Sequence, residues 1–325
     1  MAARVHDGFL FRAAAGLLLL VLRVMGALPP RLATALVAPL AVPWALYWLL
    51  QDRGGRKKRG YHRNVRIATR PGGGVAPLQR GHLWRWSMHM AQLVVDFCNL
   101  HRITPDNVRE IVDLSQAGAM EELYAEGRGV IVATGHIGSF DTGGYAMALA
   151  GIRITSVYRP SPVPAIDRAI LKQRSAAGQR LLARKGAMRG LQAALQEGNM
   201  VALIVDGGSR GSAVFTPFLG TMAASTASPA VLHLHTGAPI VVASCERTGP
   251  LRYRMRVWDV IRAEPVADRD AAVAALTTRV NDGLGRAIGA CPDQWFWQGN
   301  RWSHRPPGEQ PGPDGLPPLA AAPRS

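Results

Sequence analysis

The sequence predicts an α/β sandwich domain that follows an N-terminal hydrophobic region. Three observations support this prediction. Short continuous apolar runs such as 129–133 and 200–205 alternate with helix-like segments, Gly-rich loops follow those runs, and a long uncharged stretch lies near the N-terminus. Continuous apolar runs are typical of strands buried on both faces, and sites in such folds form where the carboxyl ends of strands meet.

The N-terminal region has the pattern of a membrane attachment. Residues 32–51 carry no charge, end in an aromatic group and precede a basic segment, 53–59, so we assign residues 1–60 to membrane-anchoring helices with a cytoplasmic basic flank. A signal peptide fits less well, because no small-residue cleavage site closes a compact apolar core. Pro39 and Pro43 leave open whether residues 32–51 span the bilayer or only enter it.

Composition narrows the class of partner. The chain of 325 residues has 38 Lys and Arg against 22 Asp and Glu, a formal net charge of +16, which favours an anionic partner such as nucleic acid, anionic lipid or an acidic carrier protein. Its three cysteines have no metal-type spacing, so the sequence supports neither a disulfide framework nor a zinc site. A reducing, cytoplasm-facing location fits best.

The remaining chain divides into a domain, residues 61–305, and a tail, 306–325, that we expect to be disordered because it is rich in Pro, Gly and Ala. The domain opens with an amphipathic helical pattern over 61–100, and a flexible turn at 71–74 precedes its most apolar part. Periodicity then predicts these elements: a strand and short helix within 111–127, strands at 154–159, 200–206, 239–245 and 253–260, and helices at 165–177, 188–196, 229–235 and 270–288.

The strongest chemical signal follows the apolar run 129–133, where a loop places His136 and Asp141 five residues apart. A neutral imidazole can take a proton from a hydroxyl when a carboxylate fixes its tautomer and stabilises the imidazolium. Flanking glycines, including Gly138, would let a substrate approach closely. The alternative is a polar helix cap, with Asp141 as the N-cap and His136 on the surface. No further ligand lies nearby in sequence, which disfavours a metal.

Two later loops and one aromatic run complete the candidates. Residues 207–211 have the spacing G-x-S-x-G, but the extended segment after Ser209 does not fit a nucleophile elbow, which must open a helix. We interpret this loop as an anion site that includes Arg210. Arg159 ends a predicted strand and is either a second anion contact or a solvated surface residue. The aromatic run 295–297 fits packing of the last helix better than nucleic-acid stacking or a membrane-facing wall.

Several blocks together resemble the late acyltransferases of lipid A biosynthesis, within the glycerolipid acyltransferases that carry an H-x4-D/E motif. The resemblance covers most of residues 1–308. Its blocks are Gly135-His136-Ile137-Gly138-Ser139-Phe140-Asp141, Tyr158-Arg159-Pro160, the segment 206–220, Thr236-Gly237-Ala238-Pro239-Ile240, and Pro292-Asp293-Gln294-Trp295-Phe296-Trp297 with Arg301 and 305–308.

The resemblance implies a mixed central sheet flanked by helices, on the cytoplasmic face of the bacterial inner membrane. It implies transfer of an acyl chain, without a further cofactor, from an acyl carrier protein or coenzyme A thioester to a hydroxyl of a glycolipid at an anionic membrane. His136 would be the general base and Asp141 its partner. Substrate contacts would come from Gly138, Ser139, Arg159, Asp206 and Arg210.

Other functions stay open at this stage. The acceptor could be another glycolipid or a lysophospholipid, the chain could be a membrane-associated hydrolase that uses Ser209, or it could be a basic protein that binds membranes or nucleic acid without catalysis. We favour the acyltransferase without a nucleic-acid partner, because the chain offers a base but no convincing nucleophile. The length of the acyl chain is not readable from the sequence.

Overall fold

The computed structural model describes residues 9–51, 60–209 and 213–320. Within these ranges the chain forms a seven-stranded sheet, a two-stranded sheet and helices on both sides. The helices are α1 Phe9–Ala27, α2 Pro30–Gln51, α3 Tyr61–Thr69, α4 His82–Cys98, α5 Val108–Ile111, α6 Gly118–Ala125, α7 Phe140–Leu149, α8 Pro164–Ser175, α9 Ala187–Gln196, α10 Ser228–Thr236 and α11 Arg269–Ala290. The strands are β1 Val112–Gln116, β2 Val130–Thr134, β3 Ile154–Tyr158, β4 Arg180–Ala183, β5 Met200–Ile204, β6 Ala213–Phe218, β7 Thr221–Thr226, β8 Ile240–Gly249 and β9 Arg252–Ile261.

The large sheet has the strand order β1-β9-β8-β2-β5-β3-β4. Strands β8, β2, β5, β3 and β4 are parallel to one another, whereas β9 runs antiparallel to β8 and β1 is parallel to β9. The expectation of a mixed sheet flanked by helices is therefore confirmed. The two strands with continuous apolar sequences, β2 and β5, lie side by side at its centre, where both faces of a sheet are buried.

Alternate side chains of the central strands pack into two separate apolar cores. Ile131 and Ala133 of β2 point to the core that contains α9, α10 and α11. Val130 and Val132 point to the opposite core, which contains residues of α6 and α7. This alternation is the period-two pattern of a strand buried on both faces, and it gives the carboxyl ends of β2 and β5 a rigid support.

The helices α1 and α2 pack against α4 at the edge of the α/β domain. Ala33, Val37 and Ala41 of α2 form a small apolar core with Val95 of α4. Among the described residues, α2 is the helix with the length and apolar composition to cross a membrane. The predicted hydrophobic helices are thus present, and the basic segment that follows them, 53–59, lies outside the described residues.

The helical region 61–100 is two helices, α3 and α4, and the turn predicted at 71–74 lies between them. Strands β4 and β7 were not expected. In the tail, Leu316 is buried and the backbone N–H of Ala320 donates to the Gly220 carbonyl at 2.9 Å. Residues 321–325 lie outside the described part of the chain.

Candidate active site

The candidate site forms where β2 and β5 end side by side. The two strands are in parallel register, with Thr134 opposite Ile204, so the residues that follow them leave the sheet together. His136 and Asp206 meet at this point. The backbone N–H of His136 donates to Asp206 Oδ2 at 2.9 Å, and His136 Nδ1 lies 2.9 Å from Asp206 Oδ1. Gly135 makes this approach feasible, since a Cβ there would lie 3.0 Å from Asp206 Cγ.

The carboxylate of Asp206 determines which nitrogen of the His136 ring carries the proton. An ionised carboxylate can only accept, so Nδ1–H is the donor and Nε2 retains a lone pair. No hydrogen bond to Nε2 occurs among the described residues. The His136 side chain is 40% exposed, whereas that of Asp206 is 3% exposed. The free nitrogen of the ring is therefore available to a substrate, and the carboxylate that orients the ring is not.

Two phenylalanines contact the His136 ring. The ring centroid of Phe140 lies 5.2 Å away in an edge-on arrangement, and that of Phe296 lies 5.6 Å away. The backbone N–H of Phe296 also donates to the His136 carbonyl at 3.1 Å. These contacts restrict the ring on both sides, and the aromatic run 295–297 is thus partly a wall of the site as well as a packing element.

Charge interactions in the site oppose the effect of burial on the pKa values of His136 and Asp206. Burial lowers the pKa of His136, but the negative charge and hydrogen bond of Asp206, and then the charge of Asp141, outweigh this effect and hold the pKa above its ordinary value. Burial would likewise raise the pKa of Asp206, yet His136 and the Trp295 hydrogen bond stabilise its ionised form, and its pKa is lowered. These interactions stabilise the ionised form of the Asp206 carboxylate, and the raised pKa of His136 makes its imidazole a stronger proton acceptor.

The carboxylate of Asp141, the expected partner of His136, pairs with an arginine in the structure. Asp141, in the first turn of α7, forms a two-pronged ion pair with Arg174 of α8, with distances of 2.7 Å from Nε to Oδ1 and 3.2 Å from Nη2 to Oδ2. Its carboxylate acts on His136 through charge and does not bond to the ring. Asp206 takes the orienting position because strand pairing brings it opposite His136, which spacing along the chain does not reveal.

Gly138 and Ser139 hold the turn that carries His136. The Gly138 N–H donates to the Gln294 carbonyl at 2.9 Å, and the Ser139 N–H donates to the Cys245 carbonyl at 2.8 Å. Gly138 has a φ of +60°, and a Cβ there would lie 2.0 Å from the Cys245 oxygen, so only glycine fits. The Ser139 side chain is buried and its hydroxyl lies 2.7 Å from that of Thr142. This geometry uses their polar groups internally, and the contact of either residue with a substrate stays a prediction.

Asp206 is itself fixed by residues from the C-terminal part of the chain. The indole N–H of Trp295 donates to Asp206 Oδ2 at 2.8 Å. The buried guanidinium of Arg301 donates to the Ala224 carbonyl at 3.1 Å and the Ser225 hydroxyl at 2.8 Å, and lies 3.4 Å from the Gly207 carbonyl. Trp295 thus holds the start of this loop, and Arg301 connects the loop to β7.

The predicted anion contacts are only partly described. Arg159 is exposed at the carboxyl end of β3, two strands from β2 in the sheet order, and it makes no ion pair within the described ranges. Arg210 lies outside the described residues. Ser209 precedes this gap, and its N–H donates to the Ala224 carbonyl at 3.0 Å. The next element, β6, is a strand that begins at Ala213, so the loop does not have the strand-to-helix form of a nucleophile elbow.

An apolar cavity lies between the sheet and α7, and it is lined by Asp141 and by Phe140, which contacts the His136 ring. The carboxylate of Asp141 and the guanidinium of Arg174 form the polar part of its lining. Ile204 lines it as well and is 37% exposed although it belongs to a central strand. The apolar lining also includes residues of several strands and of α6 and α7, namely Met120, Val132, Met147, Ile154, Met200, Ala202, Ala243 and Met255. An apolar lining of this kind suits a hydrocarbon chain.

The described ranges contain no cluster of three or more His, Cys, Asp or Glu side chains with the arrangement of a metal site. The geometry thus consists of a base, a buried carboxylate, a charged pair and an apolar cavity. This set suits proton transfer from a hydroxyl next to a hydrocarbon substituent.

Comparison with known proteins agrees with this chemistry. The sequence profile of the bacterial lipid A biosynthesis acyltransferases matches residues 74–304. A lipid A biosynthesis palmitoleoyltransferase of Escherichia coli (strain K12) is 25% identical over 241 residues, which are 73% of this chain and 70% of that protein. A lipid A biosynthesis acyltransferase of Shigella flexneri has the same identity and coverage. The matched region contains every strand of the described sheet, His136 and Asp206, and the chain belongs to the bacterial lipid A biosynthesis acyltransferase family.

Proposed function

We propose that this acyltransferase moves a fatty acyl chain from the thioester of an acyl carrier protein to a hydroxyl of a glycolipid acceptor, with His136 as the general base. The observation that carries the proposal is the orientation of His136, whose Nδ1 is bonded to the buried Asp206. Its neighbours Phe140 and Asp141 line an apolar cavity. A base, its orienting carboxylate and a hydrocarbon slot are the parts that attack of a hydroxyl on a thioester requires.

The proposed reaction has two proton transfers. The acceptor hydroxyl attacks the thioester carbonyl carbon while its proton moves to His136 Nε2. The C–S bond then breaks, the new ester forms, and the imidazolium returns the proton to the departing thiolate. Asp206 stabilises the imidazolium through its hydrogen bond, and Asp141 does so through charge alone. No covalent intermediate with the protein is needed.

The apolar cavity supplies the binding site for the acyl chain in this proposal. Its floor is the face of β2, β3 and β5, and α7 covers it. The Asp141–Arg174 pair lies in its lining, so a chain inserted past the pair would leave its carbonyl carbon near His136. Burying the chain in this slot would fix the reacting carbon, because immobilising a reactant beside the base converts the step into an intramolecular one.

Charge and the relatives' names support the choice of donor and acceptor. The excess of cationic side chains suits both an acidic carrier protein and anionic lipid. The two relatives are named for lipid A biosynthesis, which favours a lipid A precursor over a lysophospholipid as the acceptor. With the apolar helices α1 and α2, these facts support an enzyme bound to the cytoplasmic face of the bacterial inner membrane.

The test compares His136→Ala with His235→Ala, which removes an exposed imidazole on α10. Both full-length variants would be given an acyl carrier protein thioester and a lipid A precursor, and the esterified product would be measured by mass spectrometry. We expect His136→Ala to keep its circular dichroism spectrum and lose acyl transfer by about 10²–10⁴-fold, the usual contribution of a general base. Full activity in that variant, or no acyl transfer by the unmodified chain, would refute the proposal.

A further inference from the structure

Helix α2 has the dimensions of a transmembrane helix. Its 22 residues correspond to about 33 Å at 1.5 Å per residue, enough to cross a hydrocarbon core. A helix that crosses a bilayer has its two ends in different aqueous compartments. The contacts of the two ends of α2 with the α/β domain therefore decide whether it can cross.

The N-terminal end of α2 is attached to the domain through the turn that joins it to α1. The Arg102 guanidinium donates to the carbonyls of Gly26, Ala27 and Leu28, at 3.2, 3.1 and 3.0 Å. The Asn99 amide adds a hydrogen bond of 3.3 Å to the Met25 carbonyl. These donors follow directly after α4, so the α1–α2 turn lies against the domain.

The C-terminal end of α2 is attached to the same domain. The Trp48 ring packs edge-on against Trp86 of α4, with centroids 6.2 Å apart, and the Trp48 carbonyl lies 3.0 Å from His62 Nε2 of α3. Trp86 in turn donates its indole N–H to the Trp295 carbonyl at 2.9 Å. Trp295 is the residue that holds Asp206, so this end of α2 lies close to the candidate active site.

The helix between these ends lies along α4, which is bonded to the domain on its other side. Arg85 pairs with Asp293 at 2.7 Å near one end of α4, and Asp96 pairs with Arg247 of β8 at 3.2 Å near the other. A spanning α2 would carry these charges and the adjacent loops into hydrocarbon. Buried charges of this kind are strongly disfavoured in a membrane.

We propose that α1 and α2 form a monotopic hairpin that lies in a single leaflet of a phospholipid bilayer, with both ends of α2 on the side of the α/β domain. The outer faces of the two helices provide the apolar surface that would contact the hydrocarbon of this leaflet. Their exposed apolar side chains include Leu17, Leu20, Val24, Leu32, Leu36, Leu40, Trp44 and Leu50, and Trp84 and Val94 of α4 extend this surface. The inner stripe of α2, described above, packs against α4 instead. A patch of this kind on a soluble domain marks a binding surface.

Sidedness of single cysteines tests the proposal without requiring turnover. The full-length chain would carry Cys98→Ser and Cys291→Ser, leaving only the buried Cys245. Ala27→Cys and Pro29→Cys place reporters at exposed positions of the α1–α2 turn, and Ser175→Cys places a reference at the exposed end of α8. Sealed bacterial membrane vesicles of both orientations would be treated with a membrane-impermeant maleimide.

We expect both turn reporters to react in the same vesicles as the Ser175→Cys reference. Reaction of both turn reporters only in vesicles of the opposite orientation, or only after detergent is added, would contradict a monotopic hairpin, as would recovery of the chain in the supernatant. Acyl transfer measured on the same preparations separates this outcome from a failure of the proposed reaction. Two turn positions are used so that, if one variant does not fold, the other still tests the proposal.

Discussion

Two carboxylates approach His136 from different parts of the chain, and they differ in what they contact. Asp206, after β5, is buried and directs its oxygens to the His136 ring, the His136 backbone and the Trp295 indole. Asp141, on α7, is partly exposed, and both of its carboxylate oxygens contact the guanidinium of Arg174. The carboxylate that is distant in sequence orients the ring, and the one nearby supplies charge at the edge of the cavity. Their residue type is the same, so the surroundings determine the difference.

The largest effect is expected from Asp206→Asn. An amide cannot stabilise the imidazolium, and its NH₂ group can donate to Nδ1 and so favour the tautomer with the proton on Nε2. We expect kcat/KM for acyl transfer to fall about 10²–10⁴-fold, measured with saturating donor and varied acceptor. The result would contradict our account if Asp206→Asn, shown to be folded by circular dichroism, kept the activity of the unmodified chain.

The cavity beside Asp141 should control the choice of acyl chain. Ala202 of β5 lines it, so Ala202→Phe should fill part of the slot. We expect discrimination against the longest donors to increase by about 10–200-fold, the range for one methylene group in an apolar pocket, with little change for short donors. Competition between thioesters of different lengths measures this. Ala193→Phe on α9, across the sheet, is the matched control and should leave the preference unchanged; equal loss for all donors in Ala202→Phe would argue against the slot.

The smallest effect is expected from Asp141→Asn. A partly exposed charge that is already paired contributes about 1 kcal/mol or less, so kcat/KM should fall about fivefold at most. Arg174→Gln gives a matched comparison, because the Arg174 charge lowers the pKa of His136 whereas the Asp141 charge raises it. The two variants should therefore shift the pH dependence of kcat/KM in opposite directions. A loss in Asp141→Asn as large as that in Asp206→Asn would remove the distinction between the carboxylates.

Much of the fold could be predicted from the sequence because its central strands are continuous apolar runs with clear ends. The strands β2 and β5 are of this kind, and both were expected. Strand β4 has four residues and lies at the edge of the sheet with exposed Arg180 and Ala183, and β7 carries one large apolar side chain, Met222, so neither produces a distinct hydrophobic pattern. The order of the seven strands depends on packing between distant segments, and no local pattern in this chain encodes it.

In the candidate site, too, residues marked by a local sequence pattern could be predicted, and contacts between distant segments could not. His136 could be found from its place after an apolar strand and from its spacing to Asp141. Asp206 could be identified as a residue of interest because it also follows an apolar strand, but its role as the partner of His136 required the knowledge that β2 and β5 are neighbours in register. Phe296 lies 160 residues from His136 in the numbering and carries no motif that points to the base. Helical contacts at both ends of α2 were likewise not readable from its hydrophobicity.

The pH dependence of kcat/KM in the unmodified chain and in Asp206→Asn tests the central claim most directly. The base must be unprotonated, so activity is lost as the pH falls through the pKa of His136, which the carboxylates raise above its ordinary value of about 6.5. Removing the Asp206 charge leaves burial as the main effect, which lowers the pKa of His136. We predict that the residual activity of Asp206→Asn persists to lower pH than that of the unmodified chain, and an acidic limb at the same or higher pH would contradict the pairing of His136 with Asp206 as the basis of catalysis.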